Sequence, residues 1–317
     1  MRYRTATRAD EAALPALWAT VFPGATAMAA LWKQDPGRHR RTFVAEDGGR
    51  AVSVVHYLPR TIRSAAGRPE VVGCLGSVAT HPDARGRGHV RRLLEAAVAT
   101  MTADGCAWSL LFTGTPRVYE SSGWRSFAAP GWSGPLALPP RAGPAAAPLT
   151  VRTALAADLP VLRALRDGFD AARPLTTVRS LRDWQRRVPV WYAPPAETLL
   201  AEAGGSGARP LGSAVLRHPS PDEAEIVEIA LADGGGPDVA RALLAAAAAR
   251  ARDRGATAAA VRLPPVPAVV EALPCLLAEA TPAVTRFGMS RPVLAAPAEV
   301  TATVTAPGAV HWYGDSF

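Results

Sequence analysis

The sequence predicts an α+β protein built from two tandem copies of one supersecondary unit. A short segment near the start, residues 4–10 (RTATRAD), recurs at 152–158 (RTALAAD), and each copy precedes apolar residues at helical spacing. Each half then continues with a strand, a glycine-containing loop, a helix and another strand. A stretch rich in Pro, Ala and Gly separates the halves and predicts a linker at 136–149.

Each copy of the repeat is predicted to be a short strand followed by an amphipathic helix. Asp10 and Asp158 stand where an N-cap residue is favoured. The apolar helical positions are Leu14, Leu17, Trp18 and Val21 in the first copy, and Leu159, Leu162 and Leu165 in the second.

The rest of the first half alternates strands and turns before one helix. Strands are predicted at 42–46, 51–58 and 71–79, with turns at 47–49 and near Gly67, then a helix over 93–101 and a buried strand at 108–112. A right-handed crossover makes 108–112 parallel to 71–79. A ligand then binds at the carboxyl ends of these strands.

The second half has the same skeleton. Strands are predicted at 198–201 and 211–216 around a glycine turn at 204–207, then at 225–231 and 258–263, with a helix over 237–252. The predicted organisation is a first domain at 1–135, a related domain at 150–292, and a tail at 293–317 that is aromatic and acidic at its end and suits a cleft.

Composition is that of a globular protein, with 49% hydrophobic and 20% charged residues. The net charge is +8, but Lys33 is the only lysine and the arginines are scattered through both halves, which disfavours nucleic acid as a partner. The longest apolar run, 243–249, is too short to span a membrane. Three separated cysteines predict free thiols, no metal site and a cytoplasmic location.

The loop after the strand at 71–79 has the features of a phosphate site. Gly86 and Gly88 allow close backbone approach, Arg85, Arg87 and Arg91 supply positive charge, and a helix N-terminus follows. A Rossmann loop requires a third glycine where Arg91 stands, and a P-loop requires a Gly-Lys-Ser/Thr sequence. Neither pattern is present.

This loop resembles motif A of the GNAT acyl-CoA N-acyltransferases, Arg/Gln-x-x-Gly-x-Gly/Ala, although Val90 occupies the last position. The block at 112–124 (FTGTPRVYESSGW) resembles the Tyr-x-x-x-Gly-aromatic segment of the tandem branch that includes the enhanced-intracellular-survival (Eis-like) acetyltransferases. The resemblance implies two tandem GNAT folds, each a mixed central sheet flanked by helices. We do not expect a counterpart of the branch's sterol-carrier-like third domain in this sequence, since 25 residues follow Pro292.

The resemblance also assigns roles to residues. Those expected to bind the acetyl group, pantetheine and pyrophosphate of acetyl-CoA are Val78, Ala79, Thr80, Arg85, Gly86, Arg87, Gly88, His89, Val90, Arg91, Gly114 and Thr115. Tyr119 is the expected general acid, and the α-carboxylate of Phe317 the expected base. Asp315, Glu46 and His56 are the fallback candidates for the base.

The second half lacks both parts of this site. Its loop at 233–238 (DGGGPD) carries two aspartates in place of the arginines and repels phosphate. In the segment at 284–289 (VTRFGM), Val284 stands where the tyrosine is expected. The second copy is therefore predicted to be degenerate.

The expected function is acetyl-CoA-dependent N-acetylation of a primary amine on a small molecule, such as an aminoglycoside or another amine natural product. Acetyl-CoA acts as cosubstrate and no metal is required. Two alternatives stay open: an acyl-CoA-binding regulatory or partner module without turnover, and a protein lysine or N-terminal acetyltransferase. A homo-oligomer is compatible with each of them.

Overall fold

The computed structural model describes residues 1–138, 149–204 and 209–317. They form two compact units, the first comprising Met1–Ala128, Arg286–Thr305 and Phe317, and the second the remainder. Most of the predicted linker at 136–149 and of the glycine turn at 204–207 lies outside the described residues. Within the described ranges, no helix combines the length and apolarity that a membrane span requires.

The first unit is a seven-stranded sheet with helices on both faces. Strands are numbered in chain order, and its sheet order is β1-β2-β3-β4-β5-β14-β6. The strands are β1 (Arg2–Thr5), β2 (Thr42–Asp47), β3 (Arg50–Arg63), β4 (Pro69–Thr80), β5 (Trp108–Phe112), β6 (Arg125–Ser126) and β14 (Gly288–Pro292). The helices are α1 (Ala13–Ala19), α2 (Ala25–Lys33), α3 (His89–Ala103), α4 (Arg117–Glu120) and α9 (Pro297–Thr305).

Side chains from the two faces of this sheet form two apolar clusters. Val55 and Tyr57 of β3 belong to the cluster that includes Leu94 of α3. Ala51 and Val54 of the same strand belong instead to the cluster that the strand forms with α1 and α2. Alternation along a central strand therefore fixes which helix covers which face.

The strands β4 and β5 are parallel, which confirms the predicted crossover. Their pairing covers only residues 72–74 of β4 and 108–110 of β5. Beyond it, β4 has a bulge in which Ser77 and Val78 lie opposite the single residue Val55. The sheet consequently opens at the carboxyl ends of its two parallel strands, where a ligand can enter.

The second unit repeats this arrangement in a sheet of order β13-β7-β12-β11-β10-β9-β8, in which β11 and β12 are parallel. Its strands are β7 (Ala129–Pro135), β8 (Leu149–Thr153), β9 (Glu197–Ala203), β10 (Arg209–Ser220), β11 (Glu223–Leu231), β12 (Ala258–Val261) and β13 (Thr281–Thr285). Its helices are α5 (Leu159–Phe169), α6 (Val188–Tyr192), α7 (Pro237–Asp253) and α8 (Pro267–Ala272). The two sheets share one topology, as the predicted duplication requires.

The sequence repeat corresponds to a repeated set of ion pairs. Arg4 donates two hydrogen bonds to Asp10, at 2.7 and 2.8 Å, and one to Glu46 at 2.8 Å. In the second unit, an arginine pairs in the same way with an aspartate six residues later and with a glutamate on the neighbouring strand: Arg152, Asp158 and Glu202.

The predicted helix N-caps differ between the two copies: Asp158 occupies the N-cap position of α5, without a side-chain capping hydrogen bond, whereas the N-cap of α1 is Ala12 and not Asp10. Each carboxylate accepts a hydrogen bond from the main-chain N–H three residues earlier, that of Thr7 or Leu155, at 2.7 Å. The same carboxylates bind the guanidinium groups of the repeat, so neither side chain caps the helix that follows.

Two strands pair out of chain order. β14, from late in the chain, lies between β5 and β6 in the first sheet, and β7, from the first half, lies between β12 and β13 in the second. Boundaries drawn along the sequence at 135 and 292 follow chain order, whereas this pairing does not. Hydrophobic periodicity identifies a strand but carries no information about its partner.

Candidate active site

A cavity of about 850 Å³ lies in the first unit beside the carboxyl end of β4 and the start of α3. Its lining residues come from the chain after α1, from β4, from the glycine loop and from α4: Val21, Phe22, Val78, Thr80, Ala84, Arg85, Gly86, Arg87, Gly88, His89, Val90, Arg91, Thr115, Arg117, Val118, Tyr119 and Ser121. Ala79, Gly114 and Phe317 are the predicted site residues outside this lining. The glycine loop and Tyr119 thus share one cavity.

The loop backbone has the conformation that its glycines permit. Gly86 and Gly88 both have φ of +75°, a region that residues with a Cβ seldom adopt. The space where each Cβ would lie is open to 4 Å. Gly88 directly precedes α3, so the first N–H groups of that helix have no intrahelical partner and point outward. This geometry suits an anion.

The loop arginines are available to such an anion. Arg85, Arg87 and Arg91 are exposed, and in the described part of the chain none of them forms an ion pair with a carboxylate. Arg87 donates to the main-chain oxygen of Asp83 at 2.9 Å, which holds its guanidinium near the loop. The result is a concentration of uncompensated positive charge at a helix N-terminus.

Two neighbouring basic side chains have other partners. The imidazole of His89 is buried, with Nδ1 2.8 Å from the hydroxyl of Tyr3. The guanidinium of Arg92 lies over the Tyr3 ring, 5.1 Å from its centre. His89 therefore offers a ligand its main-chain N–H rather than its ring.

Tyr119 lies on the short helix α4, with only 7% of its surface exposed. Its ring packs edge-on against Trp124. Burial raises the pKa of its hydroxyl to about 12, although a hydrogen bond with Thr113 opposes the rise. The phenol therefore stays protonated at neutral pH and can donate a hydrogen bond.

The end of the sequence lies against β4. Gly76 lies one residue before the bulge in β4. A Cβ placed on Gly76 would be 2.6 Å from the main-chain oxygen of Phe317. The Phe317 ring packs against Phe112 at a centroid distance of 6.1 Å. The main-chain carboxyl of Phe317 is therefore close to the strand that leads into the cavity.

The fallback candidates for the base occupy other environments. Glu46 binds Arg4, and Asp315 binds Arg179 in the second unit at 2.7 Å. His56 is buried, with Nδ1 3.0 Å from the Thr42 hydroxyl. The described residues contain no cluster of three or more potential metal ligands.

The equivalent loop of the second unit is built differently. Five residues (232–236) connect β11 to α7, whereas eight (81–88) connect β4 to α3. Asp238 on the first turn of α7 forms an ion pair with Arg241. The shorter, acidic loop lacks the cationic surface of its counterpart, as its sequence predicts.

The prediction that residues 284–289 are the second unit's counterpart of the Tyr119 segment is wrong. Val284 lies on β13 and is exposed, so the segment 284–289 is not a helix after a parallel strand. The element that follows β12, as α4 follows β5, is α8. Its sequence, PAVVEA, also contains no tyrosine.

Several cavity residues escape prediction from sequence. Val21 and Phe22 follow α1, Arg117 and Val118 lie on α4 with Tyr119, and Ser121 directly follows that helix. The apolar spacing of α1 identifies a helix face but not the element opposite to it. Arg117 and Val118 lie within the block at 112–124. Their adjacency to Tyr119 is the feature of the sequence that could have indicated them as site residues.

The cavity with its cationic glycine loop lies in the first of two units that share one sheet topology. Residues 2–127 match the family model of the acetyltransferase (GNAT) domain, so this segment is a GNAT domain. The match supports an acyltransferase enzyme, and the GNAT family uses acetyl-CoA as cosubstrate. No curated protein matches the chain.

Solved structures of similar fold cover nearly the whole chain. A GCN5-related N-acetyltransferase from Kribbella flavida matches 92% of this chain and 71% of its own, with 18% identity and a TM-score of 0.65. Eis1 from Mycobacterium abscessus matches 92% and 74%, with 15% identity and a TM-score of 0.61. A GCN5-related N-acetyltransferase from Sphaerobacter thermophilus matches 92% and 95%, with 16% identity and a TM-score of 0.51. These likenesses show a shared fold and agree with the tandem, Eis-like branch.

Proposed function

We propose that the first unit transfers the acetyl group of acetyl-CoA to a primary amine on a small molecule. The observation that carries this proposal is the single cavity that joins the cationic glycine loop to Tyr119. The loop offers main-chain N–H and guanidinium groups to a pyrophosphate. The buried phenol of Tyr119 offers a hydrogen-bond donor in the same cavity. An aminoglycoside or a similar polyamine natural product is the acceptor class that we favour.

In the proposed reaction the amine nitrogen attacks the thioester carbonyl carbon, forming the C–N bond. The carbonyl oxygen takes up negative charge, which main-chain N–H groups near Val78 stabilise. Collapse of this intermediate breaks the C–S bond, and the electron pair leaves with sulfur. The nitrogen loses a proton and the thiolate gains one, so the products are the acetamide and free CoA.

Tyr119 acts in this scheme as a hydrogen-bond donor to the departing sulfur. A pKa of about 12 lies above the ordinary thiol value of about 8.5, so complete transfer from the phenol is uphill. The phenol therefore stabilises the thiolate as it forms, and the proton lost by nitrogen restores the balance. The same high pKa prevents the phenol from ionising before reaction.

The α-carboxylate of Phe317 is the base in this proposal. An amine is mostly protonated at neutral pH and must lose a proton before it can attack. The position of Phe317 against Gly76, beside the bulge in β4, supports this role.

The test is thiol release from acetyl-CoA in the presence of an amine panel. The panel contains aminoglycosides, linear polyamines, amino acids, a lysine peptide and a peptide with a free N-terminus. We expect amine-dependent release with the small polyamines, and mass spectrometry to show one added acetyl group. Release with the peptides alone would instead support a protein acetyltransferase. Tight acetyl-CoA binding without release for any amine would support a binding module.

A further inference from the structure

We propose that Trp18 is a positioning residue that holds the bulge of β4 in the conformation needed for thioester binding. This inference rests on the proposed function, since it concerns the main-chain donors near Val78. Trp18 lies on α1 and is not part of the cavity lining. Its effect on the reaction is therefore indirect.

The bulge has a backbone conformation that is unfavourable for the residue it contains. Ser77 has φ of +54°, in the left-handed region that favours glycine. Ser77 and Val78 together face Val55, so the regular antiparallel ladder is interrupted at this point. A neighbouring group must stabilise such a conformation if it is to persist.

The indole of Trp18 supplies that stabilisation. Its Nε1–H donates a hydrogen bond of 2.8 Å to the main-chain oxygen of Ser77. Trp18 is completely buried in the cluster that also contains Val54 and Ala79, which flank the bulge on β3 and β4. A buried indole N–H without an acceptor is costly, so this hydrogen bond constrains the bulge and the helix equally.

The contact joins two parts of the site. Val78, next to Ser77, lines the cavity, and so do Val21 and Phe22 just after α1. Through Trp18, the helix that leads into one cavity wall is fixed to the strand that carries the proposed oxyanion donors. A shift of the Ser77 carbonyl rotates the peptide group that contains the Val78 N–H, because both belong to the same plane.

The first experiment compares Trp18→Phe with Trp32→Phe. Trp32 is an equally buried indole that packs edge-on against Trp18, but its N–H donates to the side chain of Thr42 at 2.9 Å. Both variants keep an aromatic ring and lose one buried hydrogen bond. We expect Trp18→Phe to lower kcat by about tenfold to a hundredfold, somewhat less than outright loss of an oxyanion donor. The Kd for acetyl-CoA should change by less than about threefold, because the loop residues 85–91, and not the bulge, provide the proposed contacts to the pyrophosphate.

Trp32→Phe should lower thermal stability to a similar extent and leave kcat within about twofold of wild type, since its hydrogen bond does not reach the bulge. Equal loss of kcat in the two variants would overturn the proposal, as would a wild-type kcat in Trp18→Phe.

The second experiment is rescue by glycine. Glycine adopts positive φ without strain, so Ser77→Gly removes much of the need for an external hydrogen bond. We expect the Trp18→Phe/Ser77→Gly double variant to regain most of the kcat lost in Trp18→Phe. No recovery, with the double variant folded, would contradict a role through the bulge.

A third measurement does not depend on turnover. Hydrogen exchange followed by mass spectrometry should be faster over residues 76–80 in Trp18→Phe and unchanged there in Trp32→Phe. This result would support the proposal even if no amine in the panel were acetylated. Equal protection of this segment in both variants would overturn it.

Discussion

The hydroxyl of Tyr119 shares a hydrogen bond with Thr113, just beyond the carboxyl end of β5. Thr113 also lies 3.1 Å from the hydroxyl of Thr115, which lines the cavity. The proposed donor is therefore held by a polar pair at the rim of the sheet opening, while its ring is anchored against Trp124.

Replacing Tyr119 with phenylalanine should lower kcat by about 10²-fold to 10³-fold, the usual cost of removing one hydrogen-bond donor to the charge that develops in the transition state. The ring is buried and its packing is retained, so the Kd for acetyl-CoA should stay close to the wild-type value. Thiol-release kinetics and calorimetry measure the two quantities. Tyr57→Phe is the matched control, because that buried hydroxyl binds Asp104 and does not line the cavity. Unchanged turnover in Tyr119→Phe would exclude Tyr119 as the hydrogen-bond donor to the departing sulfur.

Gly88→Ala should weaken acetyl-CoA binding by about tenfold. An alanine at φ of +75° is strained by roughly 1–2 kcal/mol, and relief of this strain distorts the phosphate loop. Transfer from a short thioester such as S-acetyl-N-acetylcysteamine, which has no pyrophosphate, should be unaffected. Gly105→Ala imposes the same backbone strain, at φ of +73° and with equally open space, at the far end of α3. If both variants change acetyl-CoA affinity alike, the loop is not the phosphate site.

Gly76→Ala should reduce kcat while leaving acetyl-CoA affinity nearly intact. The new methyl group would lie 2.6 Å from the main-chain oxygen of Phe317, so that residue must move. Gly24→Ala, where no atom lies within 4 Å, controls for glycine replacement in the same unit. A one-residue extension after Phe317 should have the same effect as Gly76→Ala. Normal kcat in both altered proteins would remove Phe317 from the mechanism.

Stability at low pH should depend on Asp158. The Arg152 guanidinium lowers the pKa of this carboxyl from 3.8 to about 2. A lowered pKa means that the stabilisation is present above about pH 4 and is lost as the pH falls towards 2. Asp158→Asn should therefore lower the melting temperature at neutral pH and flatten its decline between pH 4 and 2.

The control for Asp158→Asn is Asp167→Asn, which removes a half-exposed i,i+4 pair with Arg163 and should change little. An unaltered pH profile in Asp158→Asn would mean that the ion pair contributes no stability in this window.

Local patterns in the sequence predict much of the fold. The glycine loop, the strand before it and the helix after it all lie where the residues indicate, because turn glycines and apolar periodicity are local signals. The duplication is also predictable from the sequence, because an arginine and an aspartate six residues apart recur in both halves. Each pair forms the same ion pair in the structure.

Long-range relationships are not predictable in this way. Nothing in the sequence around Trp18 indicates that its indole meets the main chain of Ser77, 59 residues later. The same limit applies to Asp10. Local sequence preferences predict that its carboxylate caps a helix, but the carboxylate binds the Arg4 guanidinium instead.

The placement of β14 has a consequence for synthesis of the protein. This strand fills the gap between β5 and β6, yet it is translated only at residues 288–292 of 317. By residue 127 the nascent chain contains the whole segment that matches the GNAT family model. The edge of β5 nevertheless stays unpaired until some 160 further residues have been translated. A premature stop codon at any position from 128 to 287 consequently removes a strand from the first sheet, although Tyr119 and the whole glycine loop are encoded upstream of it.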